Sequence, residues 1–167
     1  NLVSRKTELG KILEYQKFLG SLAFNFNYNM SFANKGFKAQ INGFTDSIQL
    51  NGYTYQRAKI DGNLTANYFD GNLTLNDPNA DLVYEGKIDW TQGKNDLAGV
   101  INIDKLNIAS LGLYKEFPGL NLSSNTRFHF SQNRDSWDAT INLGKTKITD
   151  NRKKEISMDN CTFSALY

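Results

Sequence analysis

The chain has 167 residues, 40% of them hydrophobic with 13 glycines besides, enough for one domain or for one excised piece of a longer protein. Its 19 basic and 17 acidic side chains leave a net charge of +2, too small an excess for a nucleic-acid partner. The single cysteine, Cys161, excludes an internal disulfide, and neither a long apolar run for a membrane-spanning helix nor a basic-then-apolar leader is present. The first residue, Asn1, is not a methionine, which is read as the mark of an excised or processed piece.

Residues 1–20 read as a helical or linker stretch, because Leu9, Ile12, Leu13, Tyr15, Phe18 and Leu19 follow a helix-like spacing over Thr7–Leu19 that ends at Gly20. From Leu22 to Phe32 every second residue is large and apolar: Leu22, Phe24, Phe26, Tyr28, Met30 and Phe32. Between them stand Ala23, Asn25, Asn27, Asn29 and Ser31. Such alternation is a β-strand with one greasy and one wet face, roughly 35 Å long at about 3.3 Å per residue. Turn signals follow at Asn34-Lys35-Gly36 and Asp46-Ser47. Gly43, Gly52, Gly62 and Gly71 recur nine or ten residues apart, the length of one short strand and one turn. Glycines repeated in neighbouring strands bend a sheet along a line, giving a trough or a closed barrel.

Asn76-Asp77-Pro78-Asn79 reads as a type I turn with Pro78 presetting the backbone. Leu82, Tyr84, Gly86, Ile88 and Trp90 then alternate with Val83, Glu85, Lys87 and Asp89; after the turn Gln92-Gly93-Lys94-Asn95 come Leu97, Gly99, Ile101 and Ile103. Leu106–Leu120, with Leu111, Leu113, Tyr114 and Phe117 before Pro118-Gly119, reads as a short helix or turn crossing an end of the sheet. Phe128 and Phe130 flank His129, the turn Asn133-Arg134-Asp135-Ser136 follows, and Trp137, Ala139, Ile141 and Leu143 form another alternating set. Arg152-Lys153-Lys154, between Ile148 and Ile156, is a solvated hairpin tip, with a lipid headgroup as its sharper partner. The patterning predicts a mainly β chain of about ten or eleven antiparallel strands with one or two short helices. Its parts are a first strand block over 21–104, a crossing over 105–120 and a second block over 121–167.

Catalysis leaves few traces. His129 is the one histidine and alternates against Phe128 and Phe130, which puts it on a polar face, and Cys161 is a small packing residue of the last strand. One His and one Cys hold no metal at ordinary spacings. Asp77, Asp81, Asp89, Asp96 and Asp104 are scattered over turns and polar steps, and no phosphate-binding loop occurs. Neither catalytic residues nor a cofactor is expected, and the chain reads as a non-enzyme. The 21 asparagines sit mostly at polar steps or turns. They produce triplets such as Asn63-Leu64-Thr65, Asn72-Leu73-Thr74 and Asn121-Leu122-Ser123, which follow from the alternation itself.

What stands out is apolar area on one face. Soluble monomers rarely expose more than a few hundred Å² of contiguous apolar surface. This face must therefore close on itself, pack on a second sheet, lie in lipid, or be filled by a ligand. At about 0.8 kcal/mol per methylene, one buried acyl chain contributes on the order of 10 kcal/mol.

The segment 47–90 carries Leu50-Asn51-Gly52-Tyr53, Ile60-Asp61-Gly62, Phe69-Asp70-Gly71, Asn76-Asp77-Pro78-Asn79 and Gly86-Lys87-Ile88-Asp89. It resembles the repeat region of the TamB family (translocation and assembly module) of the AsmA-like superfamily, in the form found in Bacteroidetes. Leu9-Gly10-Lys11-Ile12-Leu13 and Asn107-Ile108-Ala109-Ser110-Leu111 extend the resemblance over most of the chain. It implies an elongated, curved antiparallel sheet, the U-shaped "β-taco" with a hydrophobic concave groove. The whole would be a periplasmic protein anchored in the inner membrane of a Gram-negative bacterium. Its implied work is phospholipid transport between the membranes in support of outer-membrane biogenesis. Docking to an outer-membrane TamA-like barrel would fall to regions outside this piece. The implied groove lining is Phe24, Phe26, Tyr28, Met30, Phe32, Leu73, Leu75, Leu82, Tyr84, Ile88, Trp90, Ile101, Ile103, Phe128, Phe130, Ile141 and Leu143, with phospholipid acyl chains as partners. Self-association through the exposed apolar face is a further expectation. The alternatives are a chaperone-like groove that receives outer-membrane or autotransporter strands by β-augmentation, a closed soluble barrel, and an outer-membrane barrel. The last is disfavoured because the glycine spacing predicts strands too short for a bilayer.

Overall fold

A chain that alternates apolar and polar residues satisfies its backbone and sorts its side chains at once by pairing strand with strand. The computed structural model describes residues 1–8, 19–33, 36–91, 94–112 and 119–167. Their strands are β1 (Leu2–Glu8), β2 (Leu19–Ala33), β3 (Gly36–Leu50), β4 (Tyr53–Thr65), β5 (Tyr68–Asp77), β6 (Ala80–Asp89), β7 (Lys94–Asn107), β8 (Asn121–Asn133), β9 (Trp137–Thr149), β10 (Glu155–Met158) and β11 (Cys161–Leu166). They form one open, 11-stranded antiparallel sheet in which β1 to β10 follow chain order and β11 also pairs with β9. β10 and β11 share one register against β9, Met158 opposite Thr146 and Cys161 opposite Leu143, so they are two halves of a single interrupted outer strand.

Among the described residues there is no second sheet and no helix. Of the helix expected over Thr7–Leu19, Thr7 and Glu8 belong to β1 and Leu19 to β2, while 9–18 lie outside the described residues. Of the crossing expected over Leu106–Leu120, Leu106 and Asn107 end β7, residues 108–112 form turns, and 113–118 lie outside the described residues. β7 and β8 pair directly, so the residues on either side of that crossing share one sheet.

Other expectations need correction. Asp46-Ser47 is not a turn but lies inside β3, where the register against β2 shifts by one residue. Gly52 is not a strand residue: Asn51 (φ 48°) and Gly52 (φ 80°) form the β3–β4 turn, with the paired positive φ values of a type I′ hairpin. The strands are not short, since β2 and β3 have 15 residues each, long enough to cross a bilayer. Strand length therefore gives no ground against a membrane barrel. What the described residues form is an open sheet, with β1 paired to β2 alone.

Bulges keep the faces in phase. Thr45 and Ile48 face Ala58 and Tyr55, so the extra residue Asp46 on β3 stands opposite Arg57 on β4, whose φ is 52°. On β7, Ile103 and Leu106 face Ser124 and Leu122, and on β9 Leu143 and Thr146 face Thr126 and Ser124. Apolar-face residues are thus three apart at bulges and two apart elsewhere.

The glycine line is also different from the expected one. Gly62 faces Gly71, Gly71 faces Gly86, and Gly86 faces Gly99, one continuous row across β4 to β7. The strands approach closely there. A methyl on Gly62 would lie 2.6 Å from the Asp70 carbonyl oxygen, and one on Gly86 would lie 2.7 Å from the Gly99 Cα. Aromatic rings cover the bare backbone: Phe69 lies against Gly62 and Gly71, Tyr84 against Gly86 and Gly99, and Phe26 against Gly43. Gly86→Ala is expected to cost about 2 kcal/mol, because backbone rather than a flexible side chain blocks the methyl. A urea midpoint equal to that of the parent would refute this close packing.

Candidate functional site

Pairing partners share a face, so the register assembles the apolar surface row by row. Phe24 leads to Thr45, Ala58, Leu75, Leu82, Ile103, Ser124, Thr146 and Met158. Phe26 leads through Gly43 and Ile60 to Leu73, Tyr84, Ile101, Thr126 and Leu143. Tyr28 leads through Ile41 and the four glycines to Phe128, Ile141 and Phe163. Met30 leads through Ala39, Leu64 and Phe69 to Ile88, Leu97, Phe130 and Ala139. Phe32 faces Phe37, and Trp90, just beyond β6, is held by Nε1 donating to the Ala66 carbonyl at 2.8 Å.

The register therefore sets sixteen of the seventeen candidate residues on one side of the sheet, with Phe32 at its margin, while Trp90 lies just beyond the paired part of β6. Leu97, read in the alternation with Ile101 and Ile103, lies among them too, as do Ile60, Leu64 and Phe69, which the sequence reading does not single out. The alternations Ile60-Gly62-Leu64 and Phe69-Gly71-Leu73 carried their signal, hidden because glycine stands at the middle apolar step. Exposure across the face is uneven: Phe69 and Tyr84 are buried at 5% and 7%, whereas Tyr28 is 51% exposed and Phe32 81%. Rings pack along it, Phe24 on Phe26 at 4.8 Å and Tyr84 on Phe128 at 6.0 Å between centroids.

Nothing among the described residues lies over this face as a second layer. The chain exposes 11513 Å², whereas a compact monomer of 18.9 kDa exposes about 8,300 Å².

Polar groups interrupt the apolar rows in two places. Ser124, buried, shares hydrogen bonds with Thr146 at 2.6 Å and Thr126 at 2.8 Å, a closed hydroxyl cluster. Thr45, equally buried, has no partner for its Oγ1 among the described residues. A third polar group closes one end of the sheet. β4 loses β5 as a partner beyond Ala58↔Leu75, and the buried Asp77 carboxylate takes over, accepting from Tyr53 Oη (2.6 Å), the Gln56 N–H (3.0 Å) and the Asn79 N–H (2.8 Å). Burial, reinforced by this carboxylate, raises the phenol pKa of Tyr53 above that of an ordinary tyrosine. Burial does the same for Tyr55 and Tyr84, with smaller contributions from the charges of Asp77 and Asp70.

The opposite face is polar. His129 stands between Asp96 (3.4 Å) and Asp138 (3.7 Å), and Lys87 lies 3.8 Å from Asp70. Cys161 begins β11 beside Leu143, on the apolar side and far from any pairing with His129 in the ladder. Among the described residues no three His, Cys, Asp or Glu side chains converge as a metal site, and no helix is long and apolar enough to cross a membrane. The Arg152-Lys153-Lys154 tip is exposed, its turn fixed by the Asp150 carboxylate accepting from the N–H groups of Arg152 and Lys154. No protein-family model, no curated protein and no solved structure matches the chain.

Removing the orphaned hydroxyl in Thr45→Val should stabilise the fold by about 1 kcal/mol, while Thr146→Val, which breaks a satisfied cluster, should destabilise it by about as much. Equal signs for the two variants in chemical denaturation would contradict this. The raised tyrosine pKa values mean that the folded state keeps phenol protons that the unfolded chain releases. Their stabilisation is complete below pH of about 10 and is lost as pH rises above it. Stability should fall above that pH, and Tyr84→Phe should flatten the fall; an unchanged pH profile would refute the assignment of Tyr84.

Proposed function

We propose that this chain is a non-enzymatic segment of a TamB-like bridge protein of the periplasm, and that its apolar face lines a trough for phospholipid acyl chains moving between the inner and outer membranes. The carrying observation is a continuous apolar face, built by every strand from β2 to β9, with no second layer against it among the described residues. Acyl chains suit that face because they need no hydrogen bonds, and each buried methylene contributes about 0.8 kcal/mol. The glycine row supports curvature toward the same side, since neighbouring backbones close in where side chains would stand. The sequence resemblance supplies the rest: the periplasmic location, the role in outer-membrane biogenesis, the inner-membrane anchor and a TamA-like partner, the anchor and the partner contact falling to other parts of a longer protein.

The face also contains what a conduit needs in order to be weakly selective. Its lining is many equivalent aliphatic and aromatic side chains rather than a few polar contacts, so it fits a range of acyl chains and no single residue dominates. Mass spectrometry of the purified protein should find co-purified phospholipid. Leu73→Lys should reduce it several-fold, whereas Thr74→Lys, one residue along and on the opposite face, should not. Lipid-free protein, or equal loss in both variants, would sink the reading. Photocrosslinks from Phe26 or Trp90 to client polypeptide rather than to lipid would favour a chaperone-like groove instead.

A further inference from the structure

On the polar face, opposite the apolar rows, cross-strand neighbours are tied to each other. Asn42 donates to Asp61, Asn125 to Asn102, Asn95 to Gln132 at 3.2 Å and Thr162 to Asn142 at 2.8 Å, each pair directly opposite in the register. One row departs from this. Asn29 faces Gln40 and Gln40 faces Asn63, three successive amides on β2, β3 and β4. All three side chains are exposed, and none has a hydrogen-bond partner among the described residues. The row ends where Asn63 faces Asp70, whose carboxylate is already engaged by Tyr68 Oη (3.3 Å) and Lys87 (3.8 Å).

A depression of about 570 Å³ lies over this row, within the roughly 300–1,000 Å³ of small-molecule sites. Its lining takes in Asn29, Gln40 and Asn63 and, from the next row, the facing pair Lys38 and Thr65, with Tyr68 at the start of β5. Each side-chain amide presents two N–H donors beside a carbonyl acceptor. Unpartnered amides in register therefore offer both kinds of group at every strand, about 4.8 Å apart. An anion would use only the donors, a metal ion only the acceptors, and an acyl chain neither. A sugar hydroxyl donates and accepts at once, and the apolar C–H face of a pyranose suits an aromatic ring such as that of Tyr68.

We propose that this row binds a neutral oligosaccharide laid across the strands, successive sugar units meeting Asn29, Gln40 and Asn63, with Tyr68 beside the last. A chain that advances by about one unit per strand spacing must be extended, as β-1,4-linked pyranoses are. The site lies on the face opposite the acyl-chain lining and rests on nothing in that reading. Strand alternation keeps the two surfaces apart.

Heteronuclear NMR of the full chain should show the side-chain amide signals of Asn29, Gln40 and Asn63 moving on addition of cellohexaose or chitohexaose. Maltohexaose, whose α-1,4 linkage coils the chain, should bind more weakly. Gln40→Ala and Tyr68→Ala should each weaken binding roughly threefold to tenfold. Asn72→Ala, exposed on the same face but outside the depression, should leave binding unchanged. Gln40→Ala removes only an exposed side chain, so its circular-dichroism spectrum and its co-purified phospholipid should match those of the parent. Silence from both extended sugars up to about 10 mM, equal binding of maltohexaose, indifference to Gln40→Ala, or signals moving only on the apolar face would overturn the proposal.

Discussion

A slip of one residue between any two strands would carry every later side chain of that strand to the wrong face. Everything else about this sheet depends on that never happening uncorrected. Hairpins fix the register at each end, the Asn51-Gly52 turn between β3 and β4 being the clearest. Where the register must shift, the chain corrects it by a bulge, and on β3 and β9 the next strand outward is displaced to match. Asp46 stands opposite Arg57 in this way, and the Gly144-Lys145 step of β9 stands opposite the Asp159-Asn160 break. At each of them, as at the unmatched β7 bulge, the apolar rows continue across the irregularity instead of ending at it.

The same bulges explain what could be read from the sequence and what could not. Strict alternation announced the strands around Phe26, Tyr84, Ile101 and Ile141, and the face each residue occupies followed directly. At a bulge the spacing becomes three, which alternation does not recognise. Thr45 and Ile48 were therefore separated by a presumed turn, and the Ile103–Leu106 spacing made Leu106 look like the start of a helix. Gly52 fits the regular glycine interval but obeys local chemistry instead: Asn-Gly is the strongest hairpin signal a sequence carries. The true glycine line, Gly62–Gly71–Gly86–Gly99, is a property of register between strands. It is invisible until the pairing is known.

A single-layer sheet holds together differently from a packed domain. Its buried strand residues, among them Leu22, Ala39, Phe69 and Tyr84, are scattered along the ladder and do not meet in one centre. Backbone hydrogen bonds and cross-strand pairs carry the stability locally. The face is thus free to be broad and apolar without collapsing into a core. An occupant that binds this face would stabilise the fold by mass action, and more so the more rows it covers.

The clasp at Asp77 has a mechanical side. β2 and β3 are 15 residues long, β5 and β6 only 10, and β7 widens again to 14. Without Asp77, the narrowing would leave the Gln56 N–H of β4 facing empty space; its carboxylate impersonates the missing strand and lets the ribbon taper. A ribbon flexes most readily where it is narrowest. The β5–β6 waist, crossed by the glycine row, is accordingly where bending of the sheet would meet the fewest cross-strand bonds, between two broader panels.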